Sequence, residues 1–255
     1  MLAAERYEMI VRLVQEKGSV RVTELSVQCG VTEETIRRDL DRLESEGRLR
    51  RSHGGAVSVK QEGASQPEIP YTQREITNAE EKRRIAEEAV RYIEPKDRIL
   101  LDASTTTWYM AARLPDIPLT VLTNSIKVAT ELSQKEKIEV IVIGGKLANN
   151  SLSFVGPLAE RSLETYYVDK LFLSGKGVHL ERGISESNEL QARLKQQMIG
   201  IAERVFLLAD SSKFGVTSFT HVADLSTVDT VVTDRRISRE TADKLGELGI
   251  NVLTV

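Results

Sequence analysis

The stretch Thr32-Glu33-Glu34-Thr35-Ile36-Arg37-Arg38-Asp39-Leu40-Asp41-Arg42-Leu43-Glu44, with Arg48-Leu49-Arg50-Arg51-Ser52-His53-Gly54-Gly55-Ala56-Val57-Ser58-Val59 close behind it, decides how the start of this chain is read. Thr32 suits a helix N-cap, and Glu33 and Glu34 in the first turn suit the positive end of the helix dipole. Ile36, Leu40 and Leu43 fall on one face of that helix, while Arg37, Arg38 and Arg42 fall off it. Gly47 is placed to stop it. Two strand-like runs, 49–53 and 56–59, flank Gly54-Gly55 and read as a hairpin. The hairpin is basic, because residues 47–60 hold Arg48, Arg50, Arg51 and Lys60 and no acid.

Towards the N-terminus, Tyr7, Ile10, Val11 and Val14 keep i, i+3, i+4, i+7 spacing, which predicts an amphipathic helix over 4–17 ending at Gly18. Val20-Arg21-Val22 alternates, Thr23 is placed to cap a short second helix running to about Cys29, and Gly30-Val31 forms a turn. Three helices with a glycine turn before the third, then a basic hairpin, make the winged helix-turn-helix plan. In that plan the third helix enters the major groove of DNA. Thr32, Glu34, Thr35, Arg37 and Arg38 are then the candidates for base edges and flanking phosphates, and Arg50, Arg51 and His53 on the wing for phosphates or the minor groove. The bland alternative is a small helical domain with a solvated charged face. The ordered set of helices, turn and basic hairpin speaks against it.

Charge is distributed to match. The 255 residues carry a net charge of -3, but residues 1–60 hold 11 Lys/Arg against 10 Asp/Glu, so the acidity belongs to the remainder. Hydrophobic residues are 40% and charged residues 29%, a globular profile. No apolar run approaches the ~20 residues that span a bilayer, so no membrane partner is expected. The first residues lack a signal-peptide pattern and there is one cysteine, Cys29, which together predict a cytoplasmic protein.

Residues 60–70, polar with Gly63, Pro67 and Pro70, read as a linker between a DNA-binding domain at 1–59 and a second domain at 71–255. A charged amphipathic helix is predicted over 78–93. Apolar strand runs follow at 98–102, 119–123, 138–143, 170–174, 204–209, 229–233 and 251–255, with helical stretches between most of them. Runs as uniformly apolar as Val140-Ile141-Val142-Ile143 predict strands buried on both faces, and hence an α/β domain with a mostly parallel sheet. Ligands in such sheets sit at the carboxyl ends of strands. Five successive ends are polar: Asp102 to Thr107, Thr123-Asn124-Ser125, Gly144-Gly145-Lys146, Ser174-Gly175-Lys176-Gly177, and Asp210-Ser211-Ser212-Lys213. Each reads singly as a cap or a turn; together they point to a phosphate-bearing ligand.

Thr35-Ile36-Arg37-Arg38-Asp39-Leu40 and Arg51-Ser52-His53-Gly54-Gly55-Ala56, with Asp102-x-Ser-Thr-Thr, Lys176-Gly177 and Asp210-x-x-Lys213-Phe214-Gly215 further on, closely resemble the DeoR/GlpR family of sugar-metabolism regulators along the whole chain. The resemblance implies a repressor of a carbohydrate operon, a phosphorylated-sugar effector, operator DNA as partner and a homodimer or homotetramer. It implies an effector domain similar in fold to ribose-5-phosphate isomerases and CoA-transferase-like proteins, with no cofactor. It implies Ser104, Thr105, Thr106 and Thr107 on phosphate, Asp102 and Asn124 on ligand hydroxyls, and Lys176 and Lys213 as positive charge. Thr123, Gly144, Gly145 and Asp210 complete the expected effector set. Many relatives have Gly at position 104, where this chain has Ser. The competing expectation is a sugar-phosphate isomerase fused to a DNA-binding head, with Asp102 or Asp210 as its base. Glu186 and Glu189 near Lys195 read as a solvated helix start rather than an acid–base pair. His53, His179 and His221 lack metal-ligand spacing.

Overall fold

The inner strands of the central sheet carry apolar residues on both faces, so helices can pack against each side. The computed structural model describes residues 3–17, 19–45, 48–52, 54–57 and 69–255, and divides the chain into two units, Met1–Ala64 and Ser65–Val255. Gly18, Gly47, His53 and most of the expected linker lie outside the described residues.

In the first unit, α1 (Ala3–Lys17), β1 (Ser19–Arg21), α2 (Val22–Cys29) and α3 (Glu33–Ser45) precede β2 (Arg50–Ser52) and β3 (Gly55–Val57). The apolar stripes converge: Ile10, Val14, Leu25, Ile36, Leu40 and Leu43 are all buried in one cluster. Arg6 and Asp39 make a fork-to-fork ion pair at 2.5 and 3.1 Å that fastens α1 to α3. The helix-turn-helix corner is closed by Gly30 in the left-handed region (φ 65°), whose N–H bonds back to Ser26 and Val27 carbonyls. Thr23 is not the cap of α2; the helix starts at Val22, with Arg21 in the cap position.

The wing is a three-stranded sheet in the order β1-β3-β2, all antiparallel. Ser52 pairs with Gly55, so Gly55 belongs to β3 and not to the expected Gly54-Gly55 turn. The added strand β1 explains this. A Cβ on Gly55 would lie 2.2 Å from the Val20 carbonyl oxygen, so only glycine lets β3 lie against β1.

In the second unit, α4 (Tyr71–Ile76) and α5 (Ala79–Val90) lead into β4 (Arg98–Leu101), α6 (Thr105–Ala111), β5 (Leu119–Thr123), α7 (Ile126–Leu132) and β6 (Ile138–Val142). A hairpin of β7 (Lys146–Ala148) and β8 (Ser153–Val155) follows, then α8 (Pro157–Leu163) and β9 (Val168–Leu173). The rest is β10 (Gly177–His179), β11 (Gly183–Glu186), α9 (Glu189–Gly200), β12 (Ala202–Leu208), β13 (Thr220–Ala223), β14 (Thr230–Thr233), α10 (Arg239–Glu247) and β15 (Asn251–Thr254). The seven runs expected as strands form one wholly parallel sheet in the order β15-β14-β12-β9-β4-β5-β6.

Side chains alternate as a two-residue period requires. Ile99, Leu101, Phe172, Phe206 and Leu208 pack with α5, α6 and α7. Leu100, Leu171, Leu173, Val205 and Leu207 pack with α8, α9 and α10. Phe172 stacks on Phe206 with ring centroids 4.7 Å apart, locking β9 to β12. The hairpin and a second small antiparallel sheet, β10-β11-β13, were not expected from the sequence. Each of their strands is three or four residues long, too short to display a period.

Gly55→Ala is expected to destabilise the first unit by about 1–3 kcal/mol, as overpacking against backbone does. Leu40→Ala is expected to cost about 2–5 kcal/mol by opening a cavity between the three helices. Denaturant unfolding of the full chain, followed through its lower-stability transition, checks both.

Candidate functional site

On α3, burial of Ile36, Leu40 and Leu43 turns Glu34, Arg37 and Arg38 outward. The Thr32 hydroxyl accepts the Thr35 N–H at 3.3 Å and meets the Thr35 hydroxyl at 3.0 Å, so this pair caps the helix while staying at its outer end. Arg37 pairs with Glu33 at 2.7 Å, and Arg38 lies 3.6 Å from Glu34. Arg38 is 79% exposed and Arg37 47%, so these pairs are worth little and exchange readily for an outside anion. Arg51 is half-buried and ion-paired to Asp41, with its backbone N–H on Glu44 at 2.8 Å, which ties the wing to the back of α3. Arg50 lies in β2 and its side chain is outside the described residues, as is His53.

The second site follows from topology. From β4 the sheet grows one way through β5 and β6, and then the other way through β9, β12, β14 and β15. The order therefore reverses between β4 and β9, and a crevice opens at their carboxyl ends. Asp102, directly after β4, spans that crevice and is fully buried. One carboxylate oxygen accepts the Ser104 N–H and the Thr107 hydroxyl, both at 3.0 Å. The other accepts the Ser174 N–H across the crevice at 3.0 Å and lies 3.1 Å from Lys195 Nζ. Lys195 also donates to Glu186 at 2.5 Å and to the Ser174 carbonyl. Burial alone would lower the Lys195 pKa, but Glu186 and Asp102 outweigh it and hold the pKa above its ordinary value.

Above this floor lies a cavity of about 450 Å³. Of the expected effector residues, Ser104, Thr105, Thr106, Lys176, Asp210 and Lys213 line it together. Ser104 has an ordinary extended backbone (φ −81°) and caps α6 by accepting the Thr107 N–H at 3.2 Å. Its hydroxyl is thus spent on the helix. The Thr105 and Thr106 hydroxyls take no partner among the described residues.

Six expected residues are placed elsewhere. Thr107 turns its hydroxyl down onto Asp102. Thr123 donates to the Leu101 carbonyl at 2.8 Å and accepts the Ser125 N–H, which shapes the turn after β5. Asn124 donates to the Phe154 carbonyl at 3.1 Å and so fastens the β7–β8 hairpin. Gly144 and Gly145 turn β6 into that hairpin; at Gly145 (φ 138°) a Cβ would meet the Val155 carbonyl at 2.8 Å. Asp102 itself braces the floor instead of lining the cavity.

The cavity also gathers residues the sequence reading passed over. Lys195 and Gln191 lie on the buried face of α9 with Ala192, Leu194 and Met198, so the solvated helix start was a misreading of Glu186 and Lys195, though not of exposed Glu189. Lys82 shares the buried face of α5 with Ile85, Ala86 and Ala89. A lysine on an apolar stripe is the readable signal in both cases. Lys82 donates to the Thr77 carbonyl at 2.7 Å and the Arg74 carbonyl at 2.5 Å, closing the end of α4. Burial, with Lys213 nearby, pulls Lys82 down to about 8. Burial lowers Lys213 too, with Lys176 adding to it against the pull of Asp210. Cations outnumber carboxylates at the cavity wall, so the site is built for an anion.

A DeoR-like helix-turn-helix domain matches residues 6–62, and a DeoR C-terminal sensor domain matches residues 77–235. The chain is 54% identical over its whole length, and 98% of the other, to the uncharacterised HTH-type transcriptional regulator YulB of Bacillus subtilis (strain 168). It is 41% identical to an L-fucose operon activator of Haemophilus influenzae, over 91% of this chain and 92% of that one. It is 36% identical to a putative aga operon transcriptional repressor of Escherichia coli O157:H7, over 99% and 94%. Among solved structures, a ribose 5-phosphate isomerase A from Methanocaldococcus jannaschii overlaps 54% of this chain and 55% of its own, with 17% identity and a TM-score of 0.41.

Below pH 8 Lys82 is charged whether the chain is folded or not, and its burial penalty is fully present. Between pH 8 and its ordinary 10.5 the unfolded chain keeps a proton that the folded chain has lost, so this residue's penalty is relieved as the pH rises. Anion binding runs the other way. A phosphate monoester gains its second charge near pH 6. Its affinity is therefore expected to peak between about pH 6 and 8 and to fall above pH 8 as Lys82 loses its charge. Thermal shifts with a panel of sugar phosphates, repeated across that range, check this.

Proposed function

The chain belongs to the DeoR family of transcriptional regulators, and from that premise we propose that it is a cytoplasmic repressor of a carbohydrate-utilisation operon which releases its operator when a phosphorylated sugar fills the cavity at the β4–β9 crevice. It is a DNA-binding regulator and not an enzyme. The observation that carries the effector reading is the cavity: Lys82, Lys176, Lys195 and Lys213 stand round a space of about 450 Å³ beside the unpartnered hydroxyls of Thr105 and Thr106. That size suits a sugar phosphate. The phosphate would take the cations and hydroxyls, and Glu186, Gln191 and Asp210 are placed to read sugar hydroxyls.

On the DNA side, Thr35, Arg37 and Arg38 read bases or phosphates from α3, with Thr32 and Glu34 beside them and Arg50, Arg51 and His53 following on the wing. Such a small set makes a weak monomeric grip, so we infer a homodimer or homotetramer that presents paired heads to half-sites about 10 base pairs or a multiple apart. Relatives named above act with either sign. The repressor reading follows the aga repressor, which this chain matches over nearly all of its length.

Replacing both Arg37 and Arg38 with Ala is expected to weaken operator binding by about a hundredfold or more, from contacts of about 1–3 kcal/mol each, and to leave the sugar-phosphate thermal shift unchanged. Fluorescence anisotropy on a fragment selected by the wild-type protein from random DNA reads this; full affinity in the double variant removes α3 as the reading helix. Lys213→Ala is expected to keep DNA affinity and to lose most of the release by sugar phosphates in the same assay. An unchanged release removes Lys213 from the site. Loss of reporter expression on deleting the gene would overturn the repressor assignment.

A further inference from the structure

Arg74 on α4 stands at the cavity wall, and no motif of the resemblance covers it. Its guanidinium lies over the Tyr71 ring, 5.6 Å from the centroid, and its nitrogens are divided between two tasks. Nε donates to the Ile69 carbonyl at 3.1 Å, and Nη2 is buried with no hydrogen-bond partner. A buried, charged donor without an acceptor is among the least tolerable arrangements in a protein interior, and where one faces a cavity it marks the place of an acceptor that arrives from outside. The neighbours narrow the acceptor's chemistry. Lys82 and Lys213 lie close enough to Arg74 to feel its charge, and Lys176 is close to Lys213. A neutral sugar would relieve none of this repulsion; a dianion relieves all of it. A guanidinium also matches phosphate in shape, giving two parallel N–H donors to two oxygens.

The second task gives the contact a consequence. Ile69 is the first described residue after the segment that follows the DNA-binding unit, and α4 is the first helix of the second unit. The stretch is also fastened by the Tyr71 N–H on the Asn150 carbonyl at 2.7 Å, by Lys82 on the carbonyls of Arg74 and Thr77, by the Tyr109 hydroxyl on the Glu75 carbonyl at 3.1 Å and by Lys127 against the Glu75 carboxylate at 3.5 Å. Arg74 alone among them offers one end to the cavity and the other to the chain entering the domain.

We propose that Arg74 is a phosphate-binding residue of the effector site, and that through its bond to the Ile69 carbonyl it passes the occupancy of that site to the segment leading from the DNA-binding unit. The proposal rests on the phosphate-sensing reading above. It differs from that reading in assigning a residue outside the motifs quoted for the resemblance and in naming the hydrogen bond by which the signal leaves the site.

The experiment uses full-length protein and inorganic phosphate as the probe, with calorimetry for affinity and amide hydrogen exchange over residues 69–77 for the signal. Wild type is expected to bind phosphate and to slow exchange in that stretch on binding. Arg74→Gln is expected to lose about tenfold or more in affinity, as removal of a charged hydrogen bond does. Arg74→Lys keeps the charge but lacks the fork, so it is expected to retain most of the affinity and lose the protection of 69–77; it also covers the case in which the Gln variant does not fold. Lys213→Gln separates the failures. If Lys213→Gln loses affinity while Arg74→Gln stays within twofold of wild type, the phosphate site stands and the role of Arg74 is overturned. If Arg74→Lys keeps both affinity and protection, the route through Ile69 is overturned. If wild type binds no phosphate, the sensing reading and this proposal fall together.

Discussion

The Asp102 carboxylate is the constraint on which the effector unit's architecture turns. A parallel sheet that reverses its order must leave a crevice where the connections from two adjacent strands diverge, and here it opens at the carboxyl ends of β4 and β9. Asp102 fills it with four hydrogen-bonding partners drawn from both sides: Ser104 and Thr107 from the β4 end, Ser174 from the β9 end, and Lys195 from α9. A carboxylate accepts only, so it can gather backbone N–H groups that would otherwise be stranded at a buried strand end. Lys195 balances its charge, and Glu186 balances Lys195 in turn. The chain from Asp102 to Glu186 thereby fixes the cavity floor before any ligand arrives. An isomerase needs a carboxylate free to take a proton. The Asp102 oxygens are fully engaged by Ser104, Thr107, Ser174 and Lys195, so the residue is a brace and not a base.

Electrostatics work in two regimes in this molecule. On α3 the arginines are exposed and paired with acids a turn away, so the pairs hold the side chains in place at almost no cost to break. Around the cavity the cations are buried or half-buried, and burial is what makes them responsive. Lys82 and Lys213 are pulled down because their charge is poorly solvated and they repel one another. A surface set of charges gives affinity that is screened by salt, as DNA binding requires. A buried set gives selectivity for charge and shape, as sensing requires.

Legibility in the sequence follows the length of the signal. The five inner strands were readable because burial on both faces makes them mostly apolar; the edge strands β6 and β15 were readable as apolar runs, but they are partly exposed, with Val142 44% exposed, so 140–143 is not buried on both faces as expected. The third helix α3 and the wing were readable because their cap, stripe and glycine pair recur at fixed offsets. The strands of the two small sheets were not, since three or four residues show no period. Effector residues divided for a chemical reason. Ser, Thr and Asn at strand ends serve equally to bind an anion or to pin a turn, and only the third dimension distinguished Thr105 and Thr106 from Thr107, Thr123 and Asn124. Lys82 and Lys195 were legible in principle, as cations on apolar helical stripes. Arg74 was not, because nothing in residues 69–77 sets one charged residue apart from the next.

Placing a sensor and a reader on one chain raises a thermodynamic requirement that the charge distribution helps to define. A ligand shifts DNA binding only by the difference in its own affinity for the two forms of the protein, and the DNA must shift ligand binding by the same factor. Tight effector binding is therefore insufficient; the cavity must differ between the two forms. A floor braced by Asp102, Lys195 and Glu186 is a poor place for such a difference, because breaking a buried ionic chain is costly in either form. The wall formed by α4 is a better one. It is a six-residue helix held at its end by Lys82 and carrying a guanidinium with an unfilled donor. Filling that donor changes the balance of forces on α4 while the floor stays as it is. The rigid floor of the site supplies affinity, and the wall that carries Arg74 supplies the difference that can be transmitted.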